Sequence, residues 1–171
     1  MQIPETILYT DTLPETECLL LLPGAVKGGA EDPAAALLGP AVWALKPGAP
    51  VCELRVPGIP AAHLLAARAE PLDQTDPAGV ETLRRCLTEA IELADGLGVK
   101  EMSFPAIPAN TRDSRLFGIM TVVFRVLMQE REKHPCLGRI RFFCPEKADA
   151  EWICRVYNFY YPQDKSERML P

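Results

Sequence analysis

The chain has 171 residues, with 18 basic and 23 acidic side chains and a formal charge of −5. That length suits one domain with a full core, and an apolar fraction of 48% excludes a disordered chain. Residues 1–100 carry −7 and residues 101–171 carry +2, so neither half has the basic excess of a nucleic-acid binder. The one basic cluster, Arg112, Arg115, Arg125, Arg131, Lys133, Arg139 and Arg141, has acids interleaved with it. The longest apolar run is five residues, far short of the ~20 that span a bilayer. The opening Met-Gln-Ile-Pro-Glu-Thr has no basic segment followed by an apolar one, so no secretory signal is expected. The six cysteines form no C-x-x-C pair and fit no zinc pattern. They read as reduced, mostly buried thiols in a cytoplasmic or nuclear protein.

Thr6–Asp11 reads as a short strand and Thr12–Glu17 as a turn around Pro14. Cys18–Leu22 is a continuous apolar strand, the pattern of one covered on both faces. Pro23-Gly24 stops it, and Lys27-Gly28-Gly29-Ala30 is a loop. A short helix follows to Leu38, with Asp32 as its cap and Pro33 at its first position. Gly39-Pro40 ends or kinks it. Val51–Val56 alternates as a strand, Pro57-Gly58 turns, and His63–Arg68 is another apolar strand. Asp76-Pro77 opens the clearest helix, in which Val80, Leu83, Leu87, Ala90, Ile91, Ala94 and Leu97 follow the 3.6-residue period. Gly98 is its natural stop. Val99–Phe104 is a strand, and Ser114 opens a helix carrying Leu116, Ile119, Val123, Val126 and Leu127. Arg139–Cys144 is a strand, and Glu146–Phe159 a final helix with Trp152 and Val156 on one face. The reading is one domain over 1–162 and a loose tail over 163–171. Strands joined by helices make an α/β fold whose later strands run parallel.

The segment from Leu83 to Val126 resembles the macro domain, a family that binds ADP-ribose. Its helix runs Ala90-Ile-Glu-Leu-Ala-Asp-Gly-Leu-Gly-Val99, and its strand Met102-Ser-Phe-Pro-Ala-Ile107. The Phe104-Pro105-Ala106-Ile107 run, in that place, is the most specific feature. Ile7–Leu13 is similar to the family's opening strand and its Gly-Asp-Ile-Thr turn. Cys18–Leu22 is similar to the strand before its Asn-Ala-Ala-Asn motif. The resemblance implies a three-layer α/β/α fold around a mixed, mostly parallel sheet.

It also implies a site. Asp11 stands where the family's aspartate accepts the adenine amino protons, although Asp also caps strand ends in ordinary turns. The Asn-Ala-Ala-Asn motif, which holds the distal ribose, is replaced by Leu22-Pro23-Gly24-Ala25. Leucine and alanine offer a ribose hydroxyl nothing to bond. Gly28 and Gly29 stand in the first glycine-rich loop, where the backbone can approach a ligand closely, or simply form a flexible turn. The second phosphate loop reads Pro108-Ala109-Asn110-Thr111-Arg112-Asp113. Such loops grip pyrophosphate through backbone N–H groups. Pro108 removes one donor, whereas Asn110 tolerates the left-handed backbone. Asp113 sets a carboxylate where pyrophosphate sits, and two like charges ~4 Å apart cost ~4 kcal/mol at an effective dielectric of 20. Arg112 or Arg115 offsets this, or Asp113 simply caps its own helix. Cys144-Pro145 replaces the aromatic-acid pair beside adenine, and strand alternation turns Phe143 the other way.

The candidate ligand residues are therefore Asp11, Gly28, Gly29, Ala109, Asn110, Thr111 and Arg112. No catalytic residue, metal site or cofactor is expected. The expected function is a degenerate macro domain with weakened or lost ADP-ribose binding that serves as a protein-interaction or scaffold module. The alternative is a reader of ADP-ribose or a related nucleotide. A hydrolase is disfavoured, because neither His63 nor His134 falls near the loops. A protein partner is expected, and nucleic acid and membrane are not.

Overall fold

The computed structural model describes residues 5–10, 13, 15–24, 33–69, 77–105, 123–127, 129–130, 132–144, 147–160 and 169–170. Its strands are β1 (Glu5–Tyr9), β2 (Thr16–Leu21), β3 (Cys52–Leu54), β4 (Ala61–Ala66), β5 (Glu101–Pro105), β6 (Arg139–Cys144) and β7 (Met169–Leu170). They form one sheet in the order β3-β4-β2-β5-β6-β1-β7. Every pairing is parallel except β3 with β4. The helices are α1 (Pro33–Leu38), which runs into a 3-10 turn at Gly39–Ala44, α2 (Pro77–Gly96), α3 (123–127, 129–130 and 132–133) and α4 (Lys147–Tyr160).

The apolar run of β2 explains the layering. Cys18 and Leu20 enter one core with Leu65, Met102, Ile140 and Phe142, beneath α2, α3 and α4. Leu19 and Leu21 enter a second core with Leu64, Ala66 and Phe143, beneath α1 and the 3-10 turn. Side chains alternate along a strand, so a strand buried on both faces must be apolar throughout. Phe124 of α3 meets Phe142 edge to face, with ring centroids 5.5 Å apart at 74°, an arrangement the ring quadrupole favours. The sheet with helices on both faces is the expected three-layer α/β/α fold.

Several boundaries move for physical reasons. β2 starts at Thr16 rather than Cys18. Thr16 pairs with Ala61, and its N–H donates to the Pro60 carbonyl at 3.2 Å. That same register sets β4 at Ala61–Ala66 rather than His63–Arg68. β3 shrinks to three residues as an edge strand paired only with β4. On α2, Leu83, Leu87, Ala90, Ile91 and Ala94 are buried as the period requires, but Leu97 is exposed. The helix has closed at Gly96, and Gly98, at φ +74°, reverses the chain. The Val99 N–H then caps the Ala94 carbonyl at 3.0 Å. Near the C-terminus, Met169–Leu170 line up beside Ile7 and Leu8 as a seventh strand rather than a loose end. They cover backbone groups that β1 would otherwise present as an unpaired edge.

Candidate functional site

In an open parallel sheet, ligands bind in the crevice beyond the carboxyl ends of the strands. Here β1, β2, β5 and β6 are parallel, so Tyr9, Leu21, Pro105 and Cys144 end at one edge. All seven candidate residues, Asp11, Gly28, Gly29, Ala109, Asn110, Thr111 and Arg112, follow β1, β2 or β5 in sequence. They lie outside the described residues, as do Ala25, Pro108 and Asp113.

The first three residues of the turn after β2 are described. Leu22 is half-buried and packs against the larger core, and Pro23 is buried. The Pro23 carbonyl accepts the Ala69 N–H at 2.8 Å, and the Leu21 carbonyl accepts the Ala67 N–H at 3.3 Å. The ends of β2 and β4 thus stay tied beyond their strands. Gly24 sits at φ +93°, where a Cβ would stand 2.3 Å from the Ala69 carbonyl oxygen. The position requires glycine for both its left-handed backbone and its lack of a side chain. These residues are used to pack one strand end onto another, and they aim no side-chain amide at the edge. Phe143 faces the α1 core, as alternation predicts. The Cys144 side chain is outside the described residues.

The opposite edge of the sheet is polar. Thr16 and Ser103 are both buried. The Thr16 hydroxyl donates to the Cys18 carbonyl at 3.1 Å. The Ser103 hydroxyl, 2.8 Å away, therefore donates to Thr16 Oγ1, and it accepts Arg141 Nε–H at 3.2 Å. Arg141 also donates to the Glu15 carbonyl at 2.6 Å and pairs with Glu101 at 3.1 Å. Glu17 Oε1 accepts the backbone N–H groups of Lys100 and Glu101. These two bonds hold its carboxyl below the usual value. A depression of about 450 Å³ opens beside them, lined by Glu15, Thr16, Glu17, Pro60, Ala62 and Glu101. Three carboxylates make it a poor seat for a nucleotide's phosphates. Sequence reading missed this network, since its members stand far apart in the chain. The available signal was a serine and an arginine in two strands otherwise apolar at their centres.

The buried cysteines and His63 are used within the fold. Register sets Cys18 beside His63, a pairing that would matter if the thiol ionised. Burial instead pushes the Cys18 thiol up to about 12 and raises that of Cys86 as well. His63 Nδ1 lies 2.6 Å from Glu53 Oε2 across the β3–β4 pair. Among the described residues, Cys18, Cys52, Cys86 and Cys136 are reduced thiols. Of the basic cluster, Lys133 pairs with Glu130, and Arg139 and Arg141 with Glu101. Among the described residues, no helix is long and apolar enough to cross a membrane.

The chain has the macrodomain fold. It superposes on a mutant macrodomain from Oceanobacillus iheyensis with a TM-score of 0.72 and 15% identity, covering 92% of each chain. A second mutant of that macrodomain, solved with ADPR, gives a TM-score of 0.69 at 15% identity over 92% and 93%. The macro domain of ganglioside induced differentiation associated protein 2 gives 0.70 at 12% identity over 93% and 86%. No protein-family model and no curated protein matches the chain.

Proposed function

We propose that this macrodomain binds ADP-ribose weakly or not at all and works as a protein-interaction module. The observation that carries this reading is the turn Leu22-Pro23-Gly24. In the resemblance drawn from sequence, it takes the place of the amide-bearing motif that holds the distal ribose. Its apolar side chains and its tie to Ala69 leave a ribose without directional bonds there. A similar macrodomain that holds ADPR makes that nucleotide the ligand to test. Trp43, 82% exposed on the 3-10 turn, supports the interaction role, because tryptophan is the side chain most enriched among interface hot spots. The pairing of Arg139, Arg141 and Lys133 with carboxylates speaks against nucleic acid. The protein hydrolyses no ADP-ribosyl linkage in this reading, since His63 lies within β4 and His134 on the connection entering β6, neither at the carboxyl edge of the sheet.

Calorimetry with ADP-ribose, up to millimolar ligand, tests the proposal. The expected result is no saturation at micromolar ligand. Saturating heat in the low micromolar range that disappears in Asp11→Ala overturns it and makes the protein a reader. Release of ADP-ribose from a mono-ADP-ribosylated protein overturns the non-enzymatic part.

A further inference from the structure

Away from the sheet edges, α2 and α3 end side by side. Glu92 and Asp95 stand one turn apart at the end of α2. Glu130 and His134 stand one turn apart at the end of α3, where the His134 N–H bonds the Glu130 carbonyl at 3.1 Å. One ligand atom each from Glu92, Glu130 and His134 lies within 4.8 Å of the other two. We propose that these three residues bind a divalent first-row transition metal, such as zinc, and that Asp95 positions the histidine.

Glu130 is the first support. It is only 6% exposed, and its Oε2 is buried with no hydrogen-bond partner. A buried carboxylate oxygen left unbonded is costly. This one is aimed at His134 Nε2, 3.8 Å away, too far for a hydrogen bond. The other oxygen, Oε1, is held by Lys133 at 3.2 Å. Lys133 is largely exposed, so it can stay on Oε1 or swing into water.

The histidine supplies the second. Its Nδ1 is 3.0 Å from Asp95 Oδ2. A carboxylate on one ring nitrogen fixes the tautomer and leaves the other nitrogen's lone pair for a metal, the arrangement that metal-bound histidines usually show. Here Nε2 is the nitrogen turned toward Glu130.

Charge and reach agree. Two helix C-termini and three carboxylates converge on one spot, where a cation is favoured. No basic residue occupies the last turn of α2. One nitrogen and two carboxylate oxygens suit zinc or its neighbours, with a fourth position left to water. Bonds of about 2.0–2.2 Å in tetrahedral geometry set ligand atoms about 3.4 Å apart. The cluster closes on an ion with side-chain shifts of about 1 Å or less. Once closed, it clamps the end of α2 to α3.

The test is calorimetric titration of the 171-residue protein with zinc chloride, paired with cobalt chloride followed by absorption. The expected result is one ion per chain, with no thiolate-to-cobalt charge-transfer band. Glu130→Gln and His134→Gln should each weaken binding by about 100-fold or more, and Asp95→Asn by about 10–100-fold. Glu92→Gln, on an exposed helix position, keeps the test decisive should a buried variant fail to fold. Its circular dichroism should be unchanged while its zinc affinity falls. No binding, a thiolate band pointing to Cys52 or Cys136, or equal affinity in Glu92→Gln and the unaltered protein would each overturn the proposal.

Discussion

The two edges of the sheet divide the work differently. Beyond the carboxyl ends of the strands, the turn after β2 is apolar and held to Ala69 by a backbone bond. At the amino ends, Arg141, Ser103, Thr16 and the Cys18 carbonyl pass hydrogen bonds along a line in which every member is satisfied by the protein itself. In open parallel sheets the carboxyl edge is where ligands generally bind. In this chain, the described part of that edge is packing, and the polar side chains are spent on internal bonds at the other.

Four changes test that contrast. The largest effect is expected from Gly24→Ala, which forces a Cβ against the Ala69 oxygen at a left-handed backbone position. About 3 kcal/mol of stability should be lost in a denaturant titration. A neutral result would mean that the turn is free to move and is not packing at all. Ser103→Ala cuts the line of hydrogen bonds at the other edge and strands Arg141 Nε. It should cost about 2 kcal/mol by the same measurement, and a loss below 0.5 kcal/mol, on the order of a surface change, would show that the network is decorative.

The third concerns Cys18, on the strand that joins the two edges. Its thiol is raised from 9.0 to about 12 by burial. A raised folded value means the native state holds the proton more tightly. The stabilisation is therefore complete below pH 9 and is lost as pH rises from 9 toward 12. Cys18→Ala should flatten that part of the alkaline denaturation curve. With a thiol-reactive dye at neutral pH, the exposed Cys52 and Cys136 should react well before Cys18 and Cys86. The smallest effect is expected from Trp43→Ala. So exposed a side chain should change stability by no more than about 0.5 kcal/mol. A larger loss would mean that Trp43 packs within the chain and offers no surface to a partner.

Much of the fold was legible because it depends on local patterning. β6 falls at Arg139–Cys144, as read, and the period of α2 names its buried face. The apolar run of β2 announced a central strand, and the Phe104-Pro105 strand lies beside it. The start of β2 was not legible, because Thr16 is a strand residue only through partners 45 and 87 positions away, Ala61 and Ser103. Turn residues around Pro14 outweighed it. The Pro23-Gly24 stop after β2 could be read directly, but its contact with Ala69 could not. That contact depends on where β4 ends. The Glu130–His134 spacing of four is a helical pair visible in sequence. Its meeting with Glu92 and Asp95 is not, for no local rule says which helix ends abut. The seven candidate ligand residues, from Asp11 to Arg112, lie outside the described residues.

The position of β1 has a consequence for how the molecule is made. Residues 5–9 pair with 140–144 and with 169–170, so this first strand awaits partners synthesised about 135 residues later. At about 5–20 residues per second on the ribosome, that is a delay on the order of ten seconds. The segment β2–β3–β4–β5 has its own mutual pairings and can assemble in that interval. β6 must then dock before β1 has a place, since it lies between β5 and β1. Closure of so distant a pair is slow, because a long loop is ordered before its contacts form. The opening strand is therefore captured only after β6, with β7 docking on it afterwards, and the nascent chain must keep Glu5–Tyr9 from other exposed strand edges until then.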